Sequence, residues 1–165
     1  MRKLALILLT VFVAATGLGA QSLTEDRDIE TLKMPSDGRA KIGILLGYPS
    51  GATFGYRFSN WFEANTTLGY NFRDAALISV NGLFTIVNIP VGDQGLMPLS
   101  LGPQINFILG GSKKFQLDVT GDIRLEYTFE DIPLNLFGDF SFGFRFFHDG
   151  DWVALSGGIG VRYVF

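Results

Sequence analysis

Few residues of this chain have a type and spacing that could support catalysis, and each lacks the partner that its chemistry needs. The single histidine, His148, precedes Asp149 in a predicted loop, where one imidazole and nearby carboxylates make only a weak metal site. The candidate nucleophiles Ser50, Ser59 and Ser100 have no histidine near them in the sequence. Nucleophilic catalysis therefore has no basis in these residues.

Two carboxylates, Asp122 and Glu126, are close enough in sequence to suggest an acid–base pair. They lie four residues apart on one predicted strand, about 13 Å by strand rise, which is too far for a glycosidase pair. The chain has no Cys, which excludes disulfides and thiolate sites. The stretch Gly47 to Gly51 is followed by no lysine and no helix, so it is a turn rather than a phosphate loop. We expect no catalytic residue, cofactor or metal ion.

Charged residues of both signs recur on the polar face of the predicted strands. They stand among Gly, Ser, Thr and Asn, which makes a poor water-facing surface but a suitable filling for a narrow lumen. Because unpaired buried charge is costly, these side chains should pair with one another. The predicted lumen network comprises Arg57, Glu63, Asp118, Asp122, Arg124, Glu126, Asp139, Arg145 and Arg162. It is either a static network that rigidifies a filled barrel or a gated ion path in which pairs exchange partners.

Eight runs of alternating apolar and polar residues must position these charges. Such a period of two predicts strands with one apolar face. The alternation is clearest in the third run and weaker in the fourth, and Pro98 and Pro103 predict a distorted fifth strand. The runs are 41–48, 52–58, 62–72, 75–87, 96–108, 115–129, 133–146 and 152–165.

The last run has apolar residues at every second position up to the final phenylalanine. This pattern resembles the C-terminal insertion signal of bacterial outer-membrane barrels, in which an aromatic residue precedes a terminal Phe by two positions. The positions between are mostly small or polar: Gly158, Gly160 and Arg162. The predicted signal consists of Ile159, Val161, Tyr163 and Phe165.

The first twenty residues have the pattern of a secretory signal peptide. Arg2 and Lys3 precede about twelve apolar residues, fewer than the ~20 that a spanning helix needs, and small residues up to Ala20 follow. Cleavage at Ala20 or a few residues earlier leaves a polar lead-in, 21–40. The remaining 11 basic and 16 acidic residues give a formal charge of −5. Nucleic-acid binding is not expected, since no basic patch exists.

The remaining residues, 41–165, are predicted to form one all-β domain: an eight-stranded, antiparallel, up-and-down transmembrane β-barrel. Charged residues are 18% of the chain, below the ~25% of soluble domains, and aromatic residues gather near the ends of the runs. Membrane barrels carry aromatic girdles at both interfaces. A soluble, lipocalin-like barrel that carries a ligand is the alternative for eight regular strands.

Three stretches resemble a family of small bacterial outer-membrane proteins of unknown function, of the spirochaete type. They are 46–51, 125–134 and 157–165, and the middle stretch is the most specific. The family is similar to the eight-stranded barrels of OmpA and OmpX. The resemblance covers roughly 41–165 and implies this fold and an outer-membrane location, but no activity. The sequence departs from the family pattern at Asn81-Gly82-Leu83, in the fourth run.

We therefore expect a monomeric outer-membrane protein with a structural or surface-interaction role. Its partners would be membrane lipid and the barrel assembly machinery. A narrow channel for small solutes is the second hypothesis, and a secreted carrier is the third. With both barrel ends in the periplasm, short surface loops are predicted around 49–51, 73–74, 109–114 and 147–151. The longest gap, 88–95, is predicted on the periplasmic side.

Overall fold

The computed structural model describes residues 39–71, 75–91, 95–110, 115–129, 132–147 and 152–165. The predicted signal peptide, most of the lead-in and His148 lie outside these residues. The described part forms eight strands, and none of it forms a helix that could cross a membrane. The strands are β1 (Ala40–Tyr48), β2 (Ser50–Ser59), β3 (Phe62–Asn71), β4 (Ala75–Val91), β5 (Gly95–Gly110), β6 (Phe115–Thr128), β7 (Leu134–Phe146) and β8 (Val153–Val164).

Each strand pairs antiparallel with its sequence neighbours, and β1 pairs with β8 to close the barrel. The predicted all-β, eight-stranded, up-and-down fold is confirmed. Because successive side chains point to opposite faces of a sheet, the polar residues of each alternating strand face the lumen and the apolar residues face outward. In β2, for example, buried Thr53 and Arg57 face the lumen, whereas exposed Phe54 and Phe58 face outward.

The strands are staggered as well as closed. Following paired residues from Leu45 in one direction leads to Gln116 on β6, through Gly51, Gly69, Leu77 and Ile108. Following them in the other direction leads to Glu126, through Gly160 and Phe137. The two arrivals, 116 and 126, are ten residues apart, and this stagger obliges the strands to tilt about the barrel axis.

The fourth run alternates poorly because apolar Ala75, Leu77 and Leu83 face the lumen, and a β-bulge then reverses the parity near the end of β4. The register with β5 shifts between Thr85 and Val87, so that two residues of β4 oppose one of β5. The extra residue, Ile86, keeps Val87 and Ile89 facing outward, whereas strict alternation would turn them into the lumen. The predicted loop 88–95 was therefore too long: β4 continues to Val91. The longest connection is instead the one between β7 and β8.

The two prolines of β5 do not interrupt the strand. Pro98 lies beyond the pairing of β5 with β6, which starts at Leu99. Pro103 pairs with β6, while the ladder to β4 has a gap opposite it and Gly102. A proline that donates no hydrogen bond is tolerated where the ladder is open. A side chain at Gly102 would collide with the carbonyl oxygen of Gly82, so glycine permits this close approach.

Aromatic residues ring both ends of the outer surface. We call the end where β1 begins and β8 finishes the near end, and the opposite one the far end. Stacked rings mark each, with centroids 5.8 Å apart for Trp61–Phe84 at the near end and 5.5 Å for Phe144–Trp152 at the far end. The near end also carries the pairs Tyr56–Phe58, Tyr127–Phe129 and Tyr163–Phe165. Between the rings, the outer surface is aliphatic and aromatic.

The residues of the predicted insertion signal lie on this outer surface. Ile159, Tyr163 and Phe165 are exposed, and Val161 is half-buried among its neighbours. Ile159, Val161 and Tyr163 thus belong to the apolar face of β8, opposite the lumen-facing Arg162, and Phe165 directly follows the strand.

Candidate functional site: the charged lumen

All nine charged residues predicted for the lumen point into the barrel and are buried or nearly so. The structure brings them together in three clusters, at the near end, in the middle and towards the far end.

The near-end cluster is built on two carboxylates shared by three cations. The Nζ of Lys41 donates to Glu63 at 2.5 Å and to Glu126 at 2.7 Å. Arg162 donates from Nη1 to Glu63 at 3.1 Å and from Nη2 to Glu126 at 2.5 Å. Arg57 reaches Glu63 at 3.1 Å. Charge-assisted bonds of this kind are the stronger class in proteins.

Two asparagines complete the contacts of Arg162. Its Nη1 donates to Asn65 at 2.7 Å, and its Nε donates to Asn135 at 3.0 Å. Arg162 and Lys41 are both 0% exposed, so bulk water reaches neither side chain. The cluster ties β1, β2, β3, β6, β7 and β8 together across the lumen.

The middle cluster contains one cation and two carboxylates. Arg124 lies directly opposite Asp139 in the β6–β7 register and donates to it at 3.0 Å. Asp122 lies 3.8 Å from the same guanidinium and accepts from Asn81 at 2.5 Å. The amide of Asn81 also donates to Gln104, which continues to Ser141 and Ser156.

The far-end cluster is a single pair supported by a glutamine. Asp118 and Arg145 face each other in the β6–β7 register, and two guanidinium nitrogens reach the carboxylate at 3.1 and 3.2 Å. Gln116 donates to the same carboxylate at 3.0 Å. Beyond the polar clusters, Ala75, Leu77 and Ile108 form a small apolar cluster at this end.

Phe137 joins the near-end and middle clusters. Its ring lies 4.5 Å from the guanidinium carbon of Arg162 and 4.8 Å from that of Arg124, within cation–π range. The ring is 4% exposed. Its direct cross-strand partner is Gly160, where an added Cβ would collide with the ring. Glycine at this position therefore makes room for the one large aromatic ring among the buried lumen residues of the described strands.

The lumen charges balance. Among the described residues that face inward, five are basic (Lys41, Arg57, Arg124, Arg145, Arg162) and five are acidic (Glu63, Asp118, Asp122, Glu126, Asp139). A low-dielectric interior favours such neutrality, since each unmatched charge would have to be desolvated without compensation.

Sequence reasoning missed Lys41 and the amides of the network. Lys41 begins the first run on the parity opposite Ile42 and Ile44, which could have placed it in the lumen. Asn65 and Asn135 occupy the polar faces of their runs in the same way. Asn135 lies directly opposite Arg162 on the adjacent strand, whereas Asn65 contacts Arg162 from 97 residues away, and no local signal shows that contact.

The described residues hold no group of three or more His, Cys, Asp or Glu side chains that could bind a metal ion. Of the three candidate serines, Ser50 bonds with Gly47 and Ser100 with Thr85. The buried hydroxyl of Ser59 has no hydrogen-bond partner among the described residues. On the outside, a groove of about 530 Å³ lies where Gly138 leaves the wall without a side chain. It is lined mainly by aliphatic and aromatic residues of β1, β5, β6, β7 and β8.

In comparisons with known proteins, no protein-family model, curated protein or solved structure matches this chain. The eight-stranded closed barrel is compatible with an OmpX-like barrel, and this compatibility concerns the fold alone.

Proposed function

We propose that the chain is an integral outer-membrane β-barrel protein with a mainly structural or surface-interaction role and no enzymatic activity. It is a monomer, exported through its signal peptide, inserted by the barrel assembly machinery and surrounded by lipid. The sequence resemblance to the small spirochaete-type barrels of unknown function belongs to this proposal.

The observation that carries the proposal is the reversal of polarity across the barrel wall. Charged and amide side chains are buried inside, while exposed positions between the aromatic rings are apolar, such as Ile44, Leu68, Ile105 and Ile123. A soluble carrier needs the opposite arrangement, with an apolar cavity and a charged exterior. A closed barrel also leaves no strand edge unpaired in lipid, where an unsatisfied backbone group is costly.

A structural role is favoured over a channel because side chains fill the lumen. Eight strands enclose a space just wide enough for side chains, and here three ion-pair clusters, Phe137 and an apolar cluster occupy it. The channel hypothesis has one supporting observation: Glu63 and Glu126 each contact several cations, so partners could exchange. Planar-bilayer recording separates the two, and we expect no steady unitary conductance.

Fractionation of cells tests the location. The protein should sediment with outer membranes and require detergent for extraction. It should also migrate differently on gels before and after boiling, as a closed barrel does when it unfolds. Recovery in the soluble periplasmic fraction would instead favour the secreted carrier.

A charge placed on the outer surface tests membrane insertion directly. Ile123 is 47% exposed, between the aromatic rings on β6, whereas Phe115 begins the same strand at the far end. We expect Ile123→Arg to lower the free energy of unfolding from lipid vesicles by about 2–4 kcal/mol and Phe115→Arg by about 0–1 kcal/mol. Urea titration of the refolded variants measures both. Equal effects at the two positions would contradict a bilayer around the barrel.

A further inference from the structure

Most of the unpartnered buried polar atoms of the described residues belong to one region of the lumen. They are the side-chain oxygen of Asn81, one carboxylate oxygen of Asp122, the amide nitrogen of Asn65, and Nε and Nη1 of Arg124. All four side chains belong to residues that are at most 5% exposed. A buried polar atom without a partner is costly, so this concentration points to a ligand.

The four side chains that carry these atoms are neighbours in the lumen. Asn81 bonds to Asp122 at 2.5 Å, and the Asp122 carboxylate is 3.8 Å from Nη2 of Arg124. Asn65 lies directly opposite Asn81 in the β3–β4 register, on the same face, where paired side chains start about 5 Å apart. One site therefore borders all four residues.

Rotating the amides does not supply the missing partners. The nitrogen of Asn81 already donates to Asp122 and Gln104, and a flip would turn its oxygen towards the carboxylate. The oxygen of Asn65 accepts from Arg162, and a flip would set two donors against each other. The unpartnered Asn81 oxygen and Asn65 nitrogen therefore keep their positions.

The unpartnered atoms include both hydrogen-bond acceptors and donors, and this combination identifies the kind of ligand. A cation would suit the oxygens of Asn81 and Asp122 but would face the guanidinium of Arg124. An anion would suit Arg124 and Asn65 but would face the carboxylates of Asp122 and Asp139. Water alone among these donates to the oxygens and accepts from the nitrogens, and buried waters typically make about three hydrogen bonds.

We propose that the lumen binds a small cluster of ordered water molecules among Asn65, Asn81, Asp122 and Arg124. The site connects the near-end cluster, through the bond of Asn65 to Arg162, with the middle cluster at Asp122 and Arg124. The two carboxyl-linked networks then form one continuous hydrogen-bonded system. The proposal concerns the folded barrel itself and is independent of the membrane in which it resides.

A crystal structure of the detergent-refolded barrel tests the proposal, with separate soaks in rubidium and bromide salts. We expect electron density for water within hydrogen-bond distance of Asn81 and Arg124, and no anomalous signal there from either ion. A rubidium or bromide peak at the site would show that an ion binds there instead of water, and would overturn the proposal. Direct contacts among the four side chains, without intervening density, would overturn it too.

Magnetic resonance of the barrel in micelles gives an independent measurement. The side-chain amide protons of Asn65 should show cross-relaxation with long-lived water. Asn135 is the matched control, because its amide donates to Thr128 and its oxygen accepts from Arg162. Asn135 should show no such signal. Absence of the signal at Asn65, or an equal signal at both asparagines, would contradict a specific water site.

Discussion

Replacing Arg162 by methionine should lower the free energy of unfolding by about 3–5 kcal/mol, the cost of breaking a buried ion pair from one side. Arg162 is fully buried and bonds to Glu63, Glu126, Asn65 and Asn135. Methionine keeps much of the volume and removes every donor. Glu126 then retains Lys41 and Arg57 as its ion-pair partners, at 2.7 and 3.6 Å, and the cluster loses a positive charge.

Two further variants distinguish lost pairing from lost packing. Arg145→Met removes a cation whose side chain is 10% exposed and pairs with Asp118 near the far end, so its cost should be smaller. Adding Glu126→Gln to Arg162→Met should restore part of the stability, because the lumen, left with four cations and five carboxylates, then has equal numbers of both again. Urea unfolding of barrels refolded into vesicles measures all three. A loss for Arg162→Met no greater than for Arg145→Met would refute the central role of the near-end cluster.

Replacing Phe137 by alanine should cost about 3–5 kcal/mol, as for other buried phenylalanines. The ring fills the space opposite Gly160 and lies against the guanidinium groups of Arg124 and Arg162. Its removal leaves a cavity beside two cations, and both lose a cation–π contact. The same vesicle-unfolding titration measures the loss.

Phe140→Ala is the matched control on the same strand. Phe140 is 53% exposed on the outer surface, and acyl chains or detergent can fill the space that its ring vacates. Its removal should cost much less than the removal of Phe137. If both variants lost the same stability, the lumen would not be packed as the structure shows it.

The wall of the barrel was predictable because its signal is local. Within each run, every second residue is apolar, and the face of a strand follows from this period of two. The fourth run was the exception, since apolar Ala75, Leu77 and Leu83 face the lumen. The bulge at Ile86 also reverses the parity and concealed the extension to Val91. The bulge is set by pairing with β5, which a single run cannot reveal.

The contents of the lumen were predictable only as a set. Their residue types and parity identified nine charged positions, and the pairs Arg57–Glu63, Arg124–Asp139 and Asp118–Arg145 lie opposite each other on adjacent strands. The contacts across the lumen were not predictable. Lys41 meets Glu126 from 85 residues away, and Arg162 meets Glu63 from 99. Such contacts depend on the stagger of the closed sheet, which no single run encodes.

The stagger of ten residues between the two routes to β6 has a consequence for how this protein can change. Strand number and stagger set the bore of the cylinder, and both are properties of backbone pairing. The diameter of the lumen therefore does not depend on which side chains face inward. Pairs such as Asp118 and Arg145 could be exchanged for each other, or for a neutral pair of equal volume, within an unaltered frame. The lumen-facing residues can thus change, in evolution or in redesign, without a change in the strand pairing of the wall.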